Sequence, residues 1–190
     1  MKTLDRIFGI VFRPRKEWEL VATETPSVDA LVCRFIVPLS LLAPIATSIG
    51  MRVFDRGWDV DSGYRVPVED MFAAAATTLF ASIASVFALA GIFVLLAPFY
   101  GSTRDYRVAL QVATYGAVPL LLAGATLVLP VMAIVALVGF VHSLYLYWLA
   151  AKQVLHVQRN EQAEFVGISI LLLSVTSTVV GAVVSHLGFF

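Results

Sequence analysis

Two ionisable side chains, Arg34 and His142, stand inside long apolar stretches of this chain. A charge among hydrocarbon is costly, so each counts as a functional residue until a blander role accounts for it. Arg34 can snorkel back to the headgroups and pair with Glu24, Asp29 or a phosphate; the alternative is contact with a partner or substrate inside the bundle. His142 reads as a neutral imidazole bonded to a hydroxyl, with a proton or ligand site as the alternative. A third feature is Arg13-Pro14-Arg15-Lys16-Glu17-Trp18, three cations around one indole. That is the chemistry of an anchor at headgroup level, where cations meet anionic lipid or a protein partner and tryptophan sits at the interface.

Other chemistries lack their residues. The chain contains no glycine-rich phosphate loop, no Gly-x-Ser-x-Gly, no His-Glu-x-x-His and no pair of intramembrane carboxylates, so neither catalysis nor a cation-coupled transporter is expected. His156 and His186 fall at opposite ends of the apolar segments, which argues against a zinc site, and no cofactor is implied. Asp59, Asp61 and Asp70 match the first, third and twelfth positions of an EF-hand loop, but Gly63 and Tyr64 occupy the fifth and sixth, where a ligand and the turn glycine belong. A solvated acidic loop is the expectation. Cys33 is the lone cysteine and reads as a small packing residue. Thirteen basic residues balance thirteen acidic ones, which gives no basis for a nucleic-acid partner.

The elements that position these residues follow from hydropathy. Hydrophobic residues make up 59% of the 190 and charged residues 14%, with a mean hydropathy of +0.89. The apolar excess must face lipid, and its runs predict an all-α, polytopic membrane protein: a bundle of five spans over residues 30–53, 71–97, 108–127, 130–151 and 165–187. Pro38 and Pro44 should kink the first span. Residues 108–151 are too long for one crossing, at about 66 Å of helix against about 30 Å of hydrocarbon, so they must fold back at Gly124 to Pro130 as a hairpin. Small residues repeat at Ala74, Thr78 and Ser82 and at Ser177, Gly181 and Ser185, which predicts close helix packing with hydroxyls bonding across the interface; a homo-oligomer contact is the alternative.

Ahead of the spans, residues 1–29 form a short amphipathic segment. Leu4, Ile7, Phe8 and Val11 recur at helical spacing with Lys2, Asp5 and Arg6 opposite, the pattern of a helix lying in the membrane interface. Pro14 restarts the chain as a second short helix that carries Trp18 to the headgroups. Arg13 to Lys16 interrupt any signal-peptide apolar run, so the segment is expected to be retained. Nine lysines and arginines fall in this segment and in the connectors after spans two and four, against Arg52, Arg56 and Arg65 on the other side. The positive-inside rule then places the N-terminus in the cytoplasm and the C-terminus outside.

Tyr100-Gly101, Tyr106-Arg107-Val108-Ala109-Leu110 and Tyr115-Gly116-Ala117-Val118-Pro119 together resemble the central motif of the Yip (Ypt/Rab-interacting protein) domain family. Arg13 to Trp18, Arg34-Phe35-Ile36-Val37-Pro38 and Leu144-Tyr145-Leu146-Tyr147 resemble blocks of its bacterial members. The resemblance implies a five-span membrane fold in a bacterial inner membrane, without a settled activity. Eukaryotic relatives are adaptors that engage Rab-type GTPases through a long cytoplasmic region, from which this chain departs with about thirty residues there. The expected role is a membrane scaffold or adaptor, with the bilayer and a membrane or cytoplasmic protein as partners and Arg13, Arg15, Lys16, Trp18 and Arg34 as contacts. The alternative is a permease for a small solute or lipid, with a cavity near Arg34, His142, Pro38 and Pro119. Pro119 frees a backbone carbonyl and Tyr115 lies one turn before it, a candidate hinge.

Overall fold

Helix follows helix through the computed structural model, which describes residues 3–25, 27–53 and 67–186 and has no strand among them. The expected acidic loop, with Asp59, Asp61 and the EF-hand-like spacing, lies outside the described residues except for Glu69 and Asp70. Those two acids occupy the first turn of a helix, where the positive end of the helix dipole favours them.

Two short helices lead, α1 (Thr3–Phe12) and α2 (Pro14–Ala22). Proline at the first position of α2 gives up an N–H that no helix start can satisfy, so it restarts the helix without loss. The first span, Val28–Val53, is segmented. It comprises α3 (Val28–Leu31), a π-helical turn (Val32–Ile36), α4 (Val37–Ser40) and α5 (Leu42–Val53). Ser27 caps α3 by accepting from the Ala30 N–H at 3.4 Å. The expected disturbances at Pro38 and Pro44 take the form of a wide turn holding Arg34, with Val37 N–H donating to Val32 C=O, and a break at Leu41.

Four more apolar helices are long enough to cross a membrane: α6 (Val68–Leu96), α7 (Tyr106–Ala123), α8 (Ala133–Gln153) and α9 (Gln162–His186). α7 starts two residues ahead of the expected run, where Asp105 caps it by accepting from Arg107 N–H at 2.8 Å. The turn expected between spans three and four is built from two 3-10 segments, Gly124–Val128 and Pro130–Met132.

The centre of the bundle is α7, where Ala109 to Pro119 are all buried. Its seam with α8 follows an antiparallel register. A Cβ on Gly116 would run into the Tyr147 ring, whose hydroxyl donates to Ala113 C=O at 3.2 Å. One turn on, Ser143 Oγ accepts from Leu120 N–H at 3.3 Å, satisfying a backbone donor beside Pro119. One turn further, a Cβ on Gly139 would lie 2.8 Å from Pro119 O. The helix continues through Pro119 to Ala123.

Several expectations need correction. Thr78 donates to Ala74 C=O and Ser82 to Thr78 C=O, both at 2.8 Å, so these hydroxyls bond back to their own helix. Ser177 and Gly181 face outward rather than into the bundle, and only the first turns of α9 are packed, around Phe165, Val166 and Ser169. Cys33 is exposed and fills no core position.

Candidate functional site

One end of the bundle collects the chain's basic segments. The connectors after α6 and α8 meet there: Ser102 Oγ donates to Leu155 C=O at 2.8 Å, Thr103 N–H to the same oxygen at 3.2 Å, and Tyr100 Oη to Glu164 Oε1 at 3.1 Å. Desolvation, then this bond to Glu164, holds the Tyr100 phenol above its usual value. Gly101 turns the chain with φ of 60°, a conformation that L side chains rarely adopt.

The head docks on the same end and is continuous with the core. Ile10, Trp18 and Val21 belong to one hydrophobic cluster with Phe35, Val118 and Leu146 of the spans. Trp18 has no exposed surface, and its ring meets Tyr115 edge-on at 6.5 Å. This corrects the expectation that Trp18 anchors at the headgroups. α2 folds back against the bundle, so its indole faces protein and its cations face out.

Arg6 was the residue whose role the sequence concealed. Read as part of the polar face of α1, it is 5% exposed and turned inward. Nη1 donates to Glu17 at 2.8 Å and Nη2 to Glu24, while the guanidinium carbon lies 5.8 Å from the centre of the Tyr115 ring. A buried cation needs such partners, and these tie α1 to α2 and both to α7. Outward, Leu4, Phe8 and Phe12 form an exposed apolar row, with the two phenyl rings stacked at 6.0 Å. The interfacial pattern expected of α1 therefore rests on residues 4, 8 and 12, with Ile7 and Val11 half-buried.

Between the head and the spans lies a cavity of about 240 Å³. Arg6, Glu24, Arg34, Gln111 and Tyr115 all line it. Arg34 is exposed, and among the described residues Glu24 is paired with Arg6 rather than with it. His142, Pro38 and Pro119 do not line this cavity. His142 is half-buried in α8, its ring 6.1 Å from Tyr145 and its buried Nε2 without the expected hydroxyl partner among the described residues. The structure thus brings Arg34 and Tyr115 together and leaves His142 apart.

The start and outer face of α2 carry the remaining candidate residues. Arg13, Arg15 and Lys16 share an open cleft of about 380 Å³ with Tyr145 of α8. Tyr145 stacks on Trp148 at 6.4 Å, both rings partly exposed, an aromatic belt beside the cations.

Five apolar helices around a buried third span, with a helical head folded onto their basic end, define a polytopic α-helical membrane protein. A family model, the Yip1 domain, matches residues 8–181, from within α1 through the Tyr100-to-Pro119 motif and the first four spans to most of the fifth. The chain belongs to the Yip1 domain family. No curated protein and no solved structure matches it.

Proposed function

We propose that this Yip1-domain protein is a non-catalytic scaffold or adaptor that organises lipids or a partner protein at the cytoplasmic face of a membrane. The observation that carries the reading is the mounting of Arg13, Arg15 and Lys16: α2 is fixed from behind by buried Trp18 and by the Arg6–Glu17 pair, so its three cations are displayed on a rigid support beside Tyr145. A preorganised basic face loses less freedom when it binds than a loose tail does. The Leu4, Phe8 and Phe12 row gives α1 an apolar surface for the bilayer next to that face.

The excess of lysine and arginine at this end supports a cytoplasmic N-terminus and, with five crossings, an external C-terminus. The likeness of Arg13 to Trp18 and Arg34 to Pro38 to bacterial members supports the inner membrane. The test is crosslinking in native membranes followed by mass spectrometry. The parent chain should yield a defined set of protein or lipid adducts at the head that R13E/R15E/K16E loses. An unchanged adduct set would refute the reading.

A further inference from the structure

A second basic pocket, distinct from the α2 cleft, lies where the end of α8 meets the start of α9. It encloses about 280 Å³, and Arg15 reaches it from α2, Lys152 from the last turn of α8 and Arg159 from the connector. Among the described residues the ion pairs are those of Arg6, so none of these three cations has a carboxylate partner, and no acid lines the pocket. Glu164, in the first turn of α9, is engaged by Tyr100 instead.

The pocket also holds polar groups that the fold leaves unsatisfied. Gln162 is 1% exposed and its Nε2 has no hydrogen-bond partner among the described residues. A buried amide donor normally has one, and Gln162 lines a space whose charged walls, Arg15, Lys152 and Arg159, are all cationic. Gln153 lines the same space with its Oε1 unpartnered among the described residues, and turned over the same amide offers two more N–H donors. α9 begins at Gln162, so the positive end of a 25-residue helix is aimed at this region as well. Leu149 apart, each lining side chain either donates hydrogen bonds or can be turned to do so, and three carry positive charge. Such a set fits a group with several acceptor oxygens and negative charge.

We infer that this pocket binds a phosphate group, and the aromatic wall identifies its source as a phospholipid headgroup. Trp148 lines the pocket and, with Tyr145, forms the belt that marks headgroup depth on α8. A phosphate at that depth belongs to a lipid of the same leaflet. Three cations without a counter-acid favour a headgroup with net negative charge over a zwitterionic one. The site goes beyond the docking role of the α2 face, with which it shares Arg15.

The test uses the full chain in detergent micelles, titrated with short-chain phosphatidylglycerol, short-chain phosphatidylcholine or inorganic phosphate, with bound molecules counted by native mass spectrometry. The parent should bind one phosphatidylglycerol at least tenfold more tightly than phosphatidylcholine. K152Q/R159Q should lose about thirtyfold of that affinity, taking the worth of a surface cation near a charged headgroup for each. K152R/R159K should keep most of it, and Gln162→Leu should weaken it while the basic rim stays intact. R13Q/K16Q, which alters only the α2 cleft, should bind as the parent does, so failure of the scaffold reading and failure of this one are told apart. Equal binding of the two lipids, or undiminished phosphatidylglycerol binding by folded K152Q/R159Q, would overturn the proposal. Displacement of the lipid by equimolar inorganic phosphate would overturn its assignment to a lipid.

Discussion

Replacing Arg6 by alanine should undock the head. Removing one partner of a buried ion pair costs roughly 3–5 kcal/mol, because the other charge is left uncompensated. Here the Glu17 side chain is 13% exposed and carries that penalty, whereas Glu24, at 42%, can turn to water and adds no more than a surface pair, about 0.5 kcal/mol. Loss of the guanidinium over Tyr115 adds up to about 1 kcal/mol. Partial solvation of Glu17 reduces the sum, leaving about 3 kcal/mol, or roughly a hundredfold in the docking equilibrium. The assay is Trp18 emission in a W58F/W148F background as a denaturing detergent is titrated into mild micelles, since Trp18 passes from a dry site to a wet one on release. Arg6→Ala should release the head at a lower denaturant fraction, Glu24→Gln should shift it by less than about 1 kcal/mol, and R6M/E17M should recover most of the loss, because neither charge is then stranded. An Arg6→Ala transition within about 0.5 kcal/mol of the parent, or a double variant as damaged as the single one, would refute the reasoning.

Further outcomes follow from the helix seam and the connectors. Gly116→Val should destabilise the bundle by about 2 kcal/mol or more in the same titration, because its side chain must displace the Tyr147 ring, while Tyr147→Phe should cost only about 1 kcal/mol for the lost bond to Ala113. Ser143→Ala should cost about 1–2 kcal/mol by stranding the Leu120 N–H beside Pro119; a neutral result would show that this proline disturbance needs no external acceptor. The Tyr100 pKa is raised in the fold, so the neutral phenol is the stabilised form: its contribution is fully present below pH 10 and is lost as pH rises through the folded value. Tyr100→Phe should therefore flatten the alkaline decline of stability, measured by melting across pH 9 to 12. Topology reporters on the two termini should fall on opposite sides of the membrane, with the N-terminal one in the cytoplasm.

What the amino-acid sequence makes legible is whatever hydrocarbon dictates. Five apolar runs, and the need for residues 108–151 to fold back, follow from span length alone, and all five helices are present. Gly116 and Gly101 were visible as motif residues, but not why they are glycines: one makes room for a ring and the other supplies a left-handed turn. The head is hidden from a sequence reading because a helical wheel treats each helix as facing water on one side and lipid on the other. Arg6 satisfies neither, since its partners lie 11 and 18 residues away and meet it only when α1 and α2 fold together. Trp18 stands among charged neighbours, the usual dress of an interfacial tryptophan, and only the return of α2 onto Tyr115 buries it. The hydroxyls of α6 looked like glue between helices because the alternative, bonding to their own backbone, leaves no trace in spacing.

The docking of α1 and α2 onto spans that are made after them has a consequence for biogenesis. While a ribosome is still delivering the second crossing, α1 and α2 have no Tyr115, Val118 or Leu146 to close upon, and their greasy and charged sides must wait at the membrane surface. Only after the α7–α8 hairpin has entered the bilayer can Trp18 go to ground. A closed head is thus a certificate that the nascent bundle is complete through its fourth crossing, and a chain arrested earlier would display the indole and the Arg6 cluster openly to quality-control proteases.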